Sequence, residues 1–243
     1  MIILERQIKR ALNLKWIKYV YPLREHPNRA PYFLGRSRTL KINAYIDGFN
    51  LYHSIDALND NTLKWLNLRK LCELFLKEGD ELNEVYYFSA PPTHLPTKMQ
   101  RYEAYTKALQ GAGVKAIFGS FKKKFAKCHV CGARYVTHEE KQTDINIAIK
   151  LLQDVFNDDF DKAFLVTADT DLVSTIKTIR QTYPHKSIIL LTPPNRAKYS
   201  HELKQNATAS LEIKVKHIRR ALLPNEVNFN GEIVKIPAEY QRV

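Results

Sequence analysis

The chain has 243 residues, 44% of them apolar and 26% charged, enough for one sizeable α/β domain with an appendage. No apolar run approaches the roughly 18 residues of a membrane-spanning helix, so no membrane partner is expected. The net charge of +13 suits a polyanion, whose condensed counterions Lys and Arg release, and three cysteines are too few for a secreted disulfide framework, which makes a reducing cytoplasm the expected compartment.

Residues 1–38 form a basic leader with nine Lys and Arg against two Glu, a net of +7, so the remainder carries +6 of the total +13. Leu4, Ile8, Leu12 and Trp16 recur there at helical spacing before Pro22, Pro27 and Pro31 interrupt. A basic amphipathic arm, a targeting peptide and a poorly ordered end remain three readings of it. From Lys41 the pattern alternates between strand and helix. Strands are predicted at Lys41–Ile46, Glu84–Ser89, Val114–Phe118, Lys162–Thr167 and Ser187–Thr192. Helices are predicted at Asn50–Leu58, Leu66–Lys77, 97–110, Thr143–Phe156, Asp171–Tyr183 and 197–209. In the 143–156 helix, Ile145, Ala148, Ile149, Leu152 and Val155 or Phe156 read as the buried stripe. The alternation implies a doubly wound α/β domain over 39–215, with a mainly parallel sheet and helices on both faces. Residues 216–243 read as a C-terminal tail, or as a hairpin around Asn230-Gly231.

Carboxylates punctuate three of these junctions: Asp47 in AYIDGFN, Asp144 in KQTDINIAIKLL, and Asp169 with Asp171 in FLVTADTDLV. In an open parallel sheet, strand C-termini and the next helix N-termini share one edge, where ligands bind. Each Asp taken singly suits a helix cap or first turn. Four on one edge would repel each other and raise their own pKa values unless a cation lay between them. Mg²⁺ or Mn²⁺ is the expected occupant, holding a phosphodiester and activating a water. Asn50 either offers its amide to a phosphate or caps the helix it begins, and Thr167 either bonds a phosphate or ends its strand.

DGFNLY at 47–52, KQTDIN at 141–146 and TADTDL at 167–172 closely resemble the three motifs of NYN domains, in their LabA-like branch, related to PIN-like nucleases. The resemblance runs from about Lys41 to Leu211 and leaves the leader out. It implies a PIN-like α/β sandwich, a divalent-metal acidic site and ribonuclease activity. It assigns acidic roles to Asp47, Asp144, Asp169 and Asp171, and a supporting one to Asn50.

Between the strand ending at Phe118 and the Asp144 helix lies an insertion, FKKKFAKCHVCGARYVTHEEK at 121–141. Lys122, Lys123, Lys124, Lys127, Arg134 and Lys141 alternate with Phe121, Phe125 and Tyr135, a pattern able to hold phosphates and stack on unpaired bases. Single-stranded RNA is the expected partner, with a solvated charged loop as the plain alternative. Cys128 and Cys131 form a CxxC turn that supplies half of a Zn²⁺ site, with His138 as a third ligand and His129 or a distant residue as a fourth. A reduced pair in a hairpin and a redox pair are the alternatives. Arg196, Lys198 and Ser200 follow the strand ending at Thr192, and either reach phosphates at the same edge or cap a polar loop.

Two rival functions remain. The DTDLV segment resembles the nucleophile motif of haloacid-dehalogenase-like phosphatases, but no Asp follows Asp171 to complete that chemistry. A non-catalytic RNA-binding or regulatory adaptor on the same fold, acting through a protein partner or a second copy, would use the basic segments equally well.

Overall fold

The computed structural model describes residues 39–241, so the expectations for the leader lie outside the described residues. Strand β1 (Leu40–Asp47) is buried on both sides, with Ile42, Ala44 and Ile46 on one face and Tyr45 on the other. Such a strand belongs at the centre of a sheet covered by helices on both faces. Its companions are β2 (Asp80–Ser89), β3 (Lys115–Phe118), β6 (Lys162–Val166), β7 (Ser187–Thr192) and β8 (Ala209–Glu212). All pairings in this six-stranded sheet are parallel, in the order β3-β2-β1-β6-β7-β8. The order reverses between β1 and β6, which opens a crevice at their C-terminal ends.

The helices divide between the faces. Ile42, Ala44 and Ile46 share a core with Leu51 and Ile55 of α1 (Gly48–Asp56), Leu71 of α2 (Leu68–Glu73), Leu109 of α3 (Pro96–Gly111) and Ile218 of α7 (Val215–Arg220). Tyr45, Phe88 and Leu165 share the opposite core with α4 (Thr143–Phe156), α5 (Val173–Thr182) and α6 (His201–Asn206). None of the helices among the described residues is long and apolar enough to cross a membrane.

Three local expectations change. α2 is six residues long and not twelve, because beyond Glu73 the chain tightens into i→i−3 bonds such as Phe75 N–H to Cys72 O (3.0 Å). α4 is rotated from the expected stripe. Ile147, Leu151 and Val155 are buried, whereas Ile145 (62%), Ile149 (59%) and Phe156 (61%) are exposed. The helix is apolar on two sides, and a buried polar contact selects between them. Tyr45 Oη donates to Asp154 Oδ2 (2.6 Å), and Lys150 Nζ reaches Asp154 Oδ1 (2.6 Å). Finally, β8 is an additional edge strand, exposed along its whole length, with no apolar alternation to mark it.

The 121–141 insertion is a β-hairpin of β4 (Ser120–Lys127) and β5 (Arg134–Lys141), paired from Ser120–Lys141 at its base to Lys127–Arg134 at its tip. Residues beyond Leu223 form a second hairpin, β9 (Glu226–Phe229) and β10 (Glu232–Lys235), turning at Asn230 (φ 52°) and Gly231 (φ 88°). Val227, Val234 and Tyr240 pack there against Trp65 and Ala108.

Candidate metal centre

β1 ends at Asp47 because the chain turns at once into α1. Gly48 makes that turn possible: a Cβ there would lie 2.4 Å from Tyr87 Cε2 and 2.7 Å from the Phe88 carbonyl. Asp47 Oδ1 accepts the Asn50 N–H (2.9 Å), so the capping role is real. Its other oxygen, Oδ2, accepts from Thr167 Oγ1 (2.9 Å), just past the end of β6. Thr167 Oγ1 in turn accepts the Asp169 N–H (3.0 Å), and Asn50 Oδ1 accepts the Ala168 N–H (3.2 Å). Asp169 Oδ1 accepts the Asp171 N–H (2.9 Å). The two strand ends astride the crevice are thus laced together, and the lacing fixes the loop that carries Asp169 and Asp171. Asn50 and Thr167 touch backbone and carboxylate here, so both act as positioning residues.

Asp144, in the first turn of α4, meets Asp169 and Asp171 from the other side. Each of the three offers a carboxylate oxygen, and these lie within 4.8 Å of one another. Asp47, expected as a fourth ligand, does not group with these three; it is buried, with both oxygens engaged. Its charge environment is shared with them nonetheless. Burial raises the Asp47 carboxyl to about 7; the Asn50 and Thr167 hydrogen bonds oppose this, and the charges of Asp144 and Asp169 add to it. Asp144 is raised to about 6, first by burial, then by Asp169, Glu140 and Asp171. Glu140, at the base of β5, accepts from the Thr143 N–H (3.2 Å) and hydroxyl and adds a further negative charge beside the trio. Oxygen-only donors under mutual repulsion fit a hard divalent cation, and the trio would hold it.

The basic residues divide by hairpin face. Directly opposed residues in an antiparallel pair point the same way, so Phe121, Lys123, Phe125 and Lys127 share a face with Glu140, His138, Val136 and Arg134. Lys122, Lys124 and Lys141 lie on the other face, where Glu139 binds Lys124 (3.1 Å) and Lys141 (3.0 Å). Lys123, Lys127 and Arg134 make no ion pair among the described residues. Arg196 lies in the loop after β7, where its charge adds to the burial that lowers the His53 pKa, and Lys198 is exposed.

Cys128 and Cys131 sit on the tight tip of the hairpin, where the Cys131 and Val130 N–H groups hold the Cys128 thiol below its ordinary pKa. His138 is four pairs down the hairpin from the tip pair, Lys127–Arg134, and stacks on His94 (centroids 3.9 Å apart, 8° between planes). Among the described residues no third His, Cys, Asp or Glu groups with the two thiols, and a structural zinc takes four ligands.

Fold and site together define a doubly wound α/β protein with a carboxylate cluster at the point where its strand order reverses. The family model described as NYN domain matches residues 41–214, and the chain belongs to that family, within the PIN-like nuclease superfamily. A curated relative, 6-hydroxy-3-succinoylpyridine 3-monooxygenase HspA of Pseudomonas putida (strain DSM 28022 / S16), is 25% identical over 59% of this chain. The chain spans 57% of that relative's length. The crystal structure of a protein of unknown function from Vibrio parahaemolyticus RIMD 2210633 superposes with a TM-score of 0.50 at 18% identity, covering 78% of this chain and 100% of its own. That likeness bears on the fold alone.

Proposed function

We propose that the chain is a metal-dependent ribonuclease of the LabA-like branch, with Mg²⁺ or Mn²⁺ held by Asp144, Asp169 and Asp171. The observation that carries this reading is the convergence of those three carboxylates, from two segments distant in sequence, within 4.8 Å at the sheet's crevice. A divalent cation supplies Lewis-acid polarisation of a phosphoryl oxygen and lowers the pKa of a water. The chain's own residues do the rest. Asp47, Asn50 and Thr167 hold the Asp169 loop in register with Asp144. Lys123, Lys127 and Arg134, on the face of the hairpin that carries Glu140 toward the trio, hold phosphates of single-stranded RNA.

Labelled RNA and DNA incubated with Mg²⁺, Mn²⁺ or EDTA, beside an Asp169→Asn variant, tests it. RNA cleavage is expected with either metal and is lost on chelation. Asp169→Asn should cost more than the roughly 10–100-fold typical of residues that merely support a ligand. Cleavage that survives both changes overturns the reading. Unchanged or tighter RNA binding by Asp144→Ala, with no cleavage by the unaltered protein, favours the adaptor instead.

A further inference from the structure

A cavity of about 290 Å³ has in its wall Gly48 and Phe49, the two residues directly after Asp47. Its lining is aromatic, but it is not a closed core: Phe49 is 39% exposed and Tyr52 38%. The hairpin completes the wall. Phe121 packs against the edge of His94 (5.0 Å between centroids), and His138 stacks on His94 from behind.

The polar groups of this wall are under-used. The His94 Nδ1 and the Tyr102 hydroxyl are buried atoms with no hydrogen-bond partner, two of only four such side-chain atoms among the described residues. Ser89 lies beside the Tyr102 hydroxyl without completing a bond of ordinary geometry. Of the three cations lining the cavity, Lys64 is paired with Asp56 and Arg101 with Glu239 (2.8 Å). Lys98 makes no ion pair among the described residues.

A ligand that satisfies all of this is flat, has a hydrogen-bonding edge and carries an anion. An unpaired nucleobase with its phosphate has those three properties: its π-face stacks on aromatic rings and its edge takes side-chain hydrogen bonds. The volume lies at the small end of ligand pockets, suited to one base and not to a duplex. We infer that the cavity holds one unstacked base of a single-stranded RNA, with its phosphate at Lys98. The next phosphodiester would then lie toward Asp47 and the trio. This rests on the ribonuclease reading and gives it a substrate subsite.

The test is binding in EDTA, where cleavage plays no part. A short single-stranded RNA carrying one 2-aminopurine should change its emission on binding. Replacing that base by an abasic site should weaken binding about tenfold or more, with no change to the protein. Phe121→Ala should match that loss, and Lys98→Ala, on the exposed surface of α3, should weaken binding several-fold while reducing its salt dependence. Equal affinity for the abasic RNA together with unaltered binding by Lys98→Ala overturns the subsite, and metal-dependent cleavage by the same protein would still stand. Base-dependent binding without any metal-dependent cleavage leaves the subsite and removes the nuclease. Displacement of the RNA by 6-hydroxy-3-succinoylpyridine at lower concentration than by nucleotides overturns it in favour of a small aromatic acid.

Discussion

Asp47 caps α1 through Oδ1 and takes the Thr167 hydroxyl on Oδ2, while its charge is coupled to those of Asp144 and Asp169. The burial of these carboxyls, with their mutual repulsion added, should show in the pH dependence of stability. Asp47 is raised from 3.8 to about 7 and Asp144 from 3.8 to about 6. Between roughly pH 4 and 7 the folded chain therefore binds protons that the unfolded chain has released, so metal-free stability falls as pH rises through that window. At Asp144, protons and metal would compete for the same oxygens. Thermal unfolding at pH 5 and pH 8, with EDTA or Mn²⁺, should show a larger metal-induced rise in midpoint at pH 8. Binding there is expected to add about 2.7 kcal/mol when free metal is a hundred times Kd. An equal rise at both pH values would count against a cation among these carboxylates.

At the scale of elements, the inserted hairpin and α4 bring their residues to the site by different means. α4 is held in rotation by Tyr45 of β1, whose hydroxyl donates to the buried Asp154, and in that rotation Asp144 meets Asp169 and Asp171. The hairpin delivers charge by alternation. Its Glu139 pairs with both Lys124 and Lys141, while Lys123 and Lys127 stand on the opposite face, together with Glu140. Replacing Lys123 and Lys127 together by Ala should lower the slope of log K against log salt by about 0.7 for each phosphate no longer neutralised. The Lys124 and Lys141 double variant should lower it less. Filter or fluorescence binding to single-stranded RNA across a salt series measures both, and identical slopes for the two variants would refute the division by face.

At the scale of the molecule, the order β3-β2-β1-β6-β7-β8 makes β1 and β6 neighbours although they are far apart in sequence, and so creates the crevice. The C-terminal hairpin closes the far side of the same layer. Trp65 Nε1 donates to the Pro224 carbonyl (2.8 Å), and a Cβ at Gly111 would lie 2.5 Å from the Asn228 carbonyl. Val227 and Val234 are buried against this surface, each worth about 1.5–3 kcal/mol relative to exposure. Truncation after Leu223 should therefore destabilise the fold by about 3 kcal/mol or more, read as a lower thermal or urea midpoint. An unchanged midpoint would mean that this hairpin is an appendage.

The sequence by itself determined the parallel α/β class and the positions of the acidic residues. Unbroken apolar runs such as AFLV at 163–166 demand cover on both faces, and the Asp-Gly, Thr-Asp and Asp-Thr-Asp junctions mark where elements meet. Tertiary structure alone decided which face of α4 is buried, because Ile145, Ile149 and Phe156 are as apolar as Ile147, Leu151 and Val155. A single buried Asp154 partner broke that tie. It also decided that Asp144, Asp169 and Asp171 group without Asp47, since such distances depend on how elements far apart in sequence cross. The aromatic cavity was invisible for the same reason: Phe49, His94, Tyr102 and Phe121 share no motif, and only packing brings them to one wall. Local chemistry writes strand, cap and charge into neighbouring residues, whereas side-chain convergence is a property of how separate elements pack.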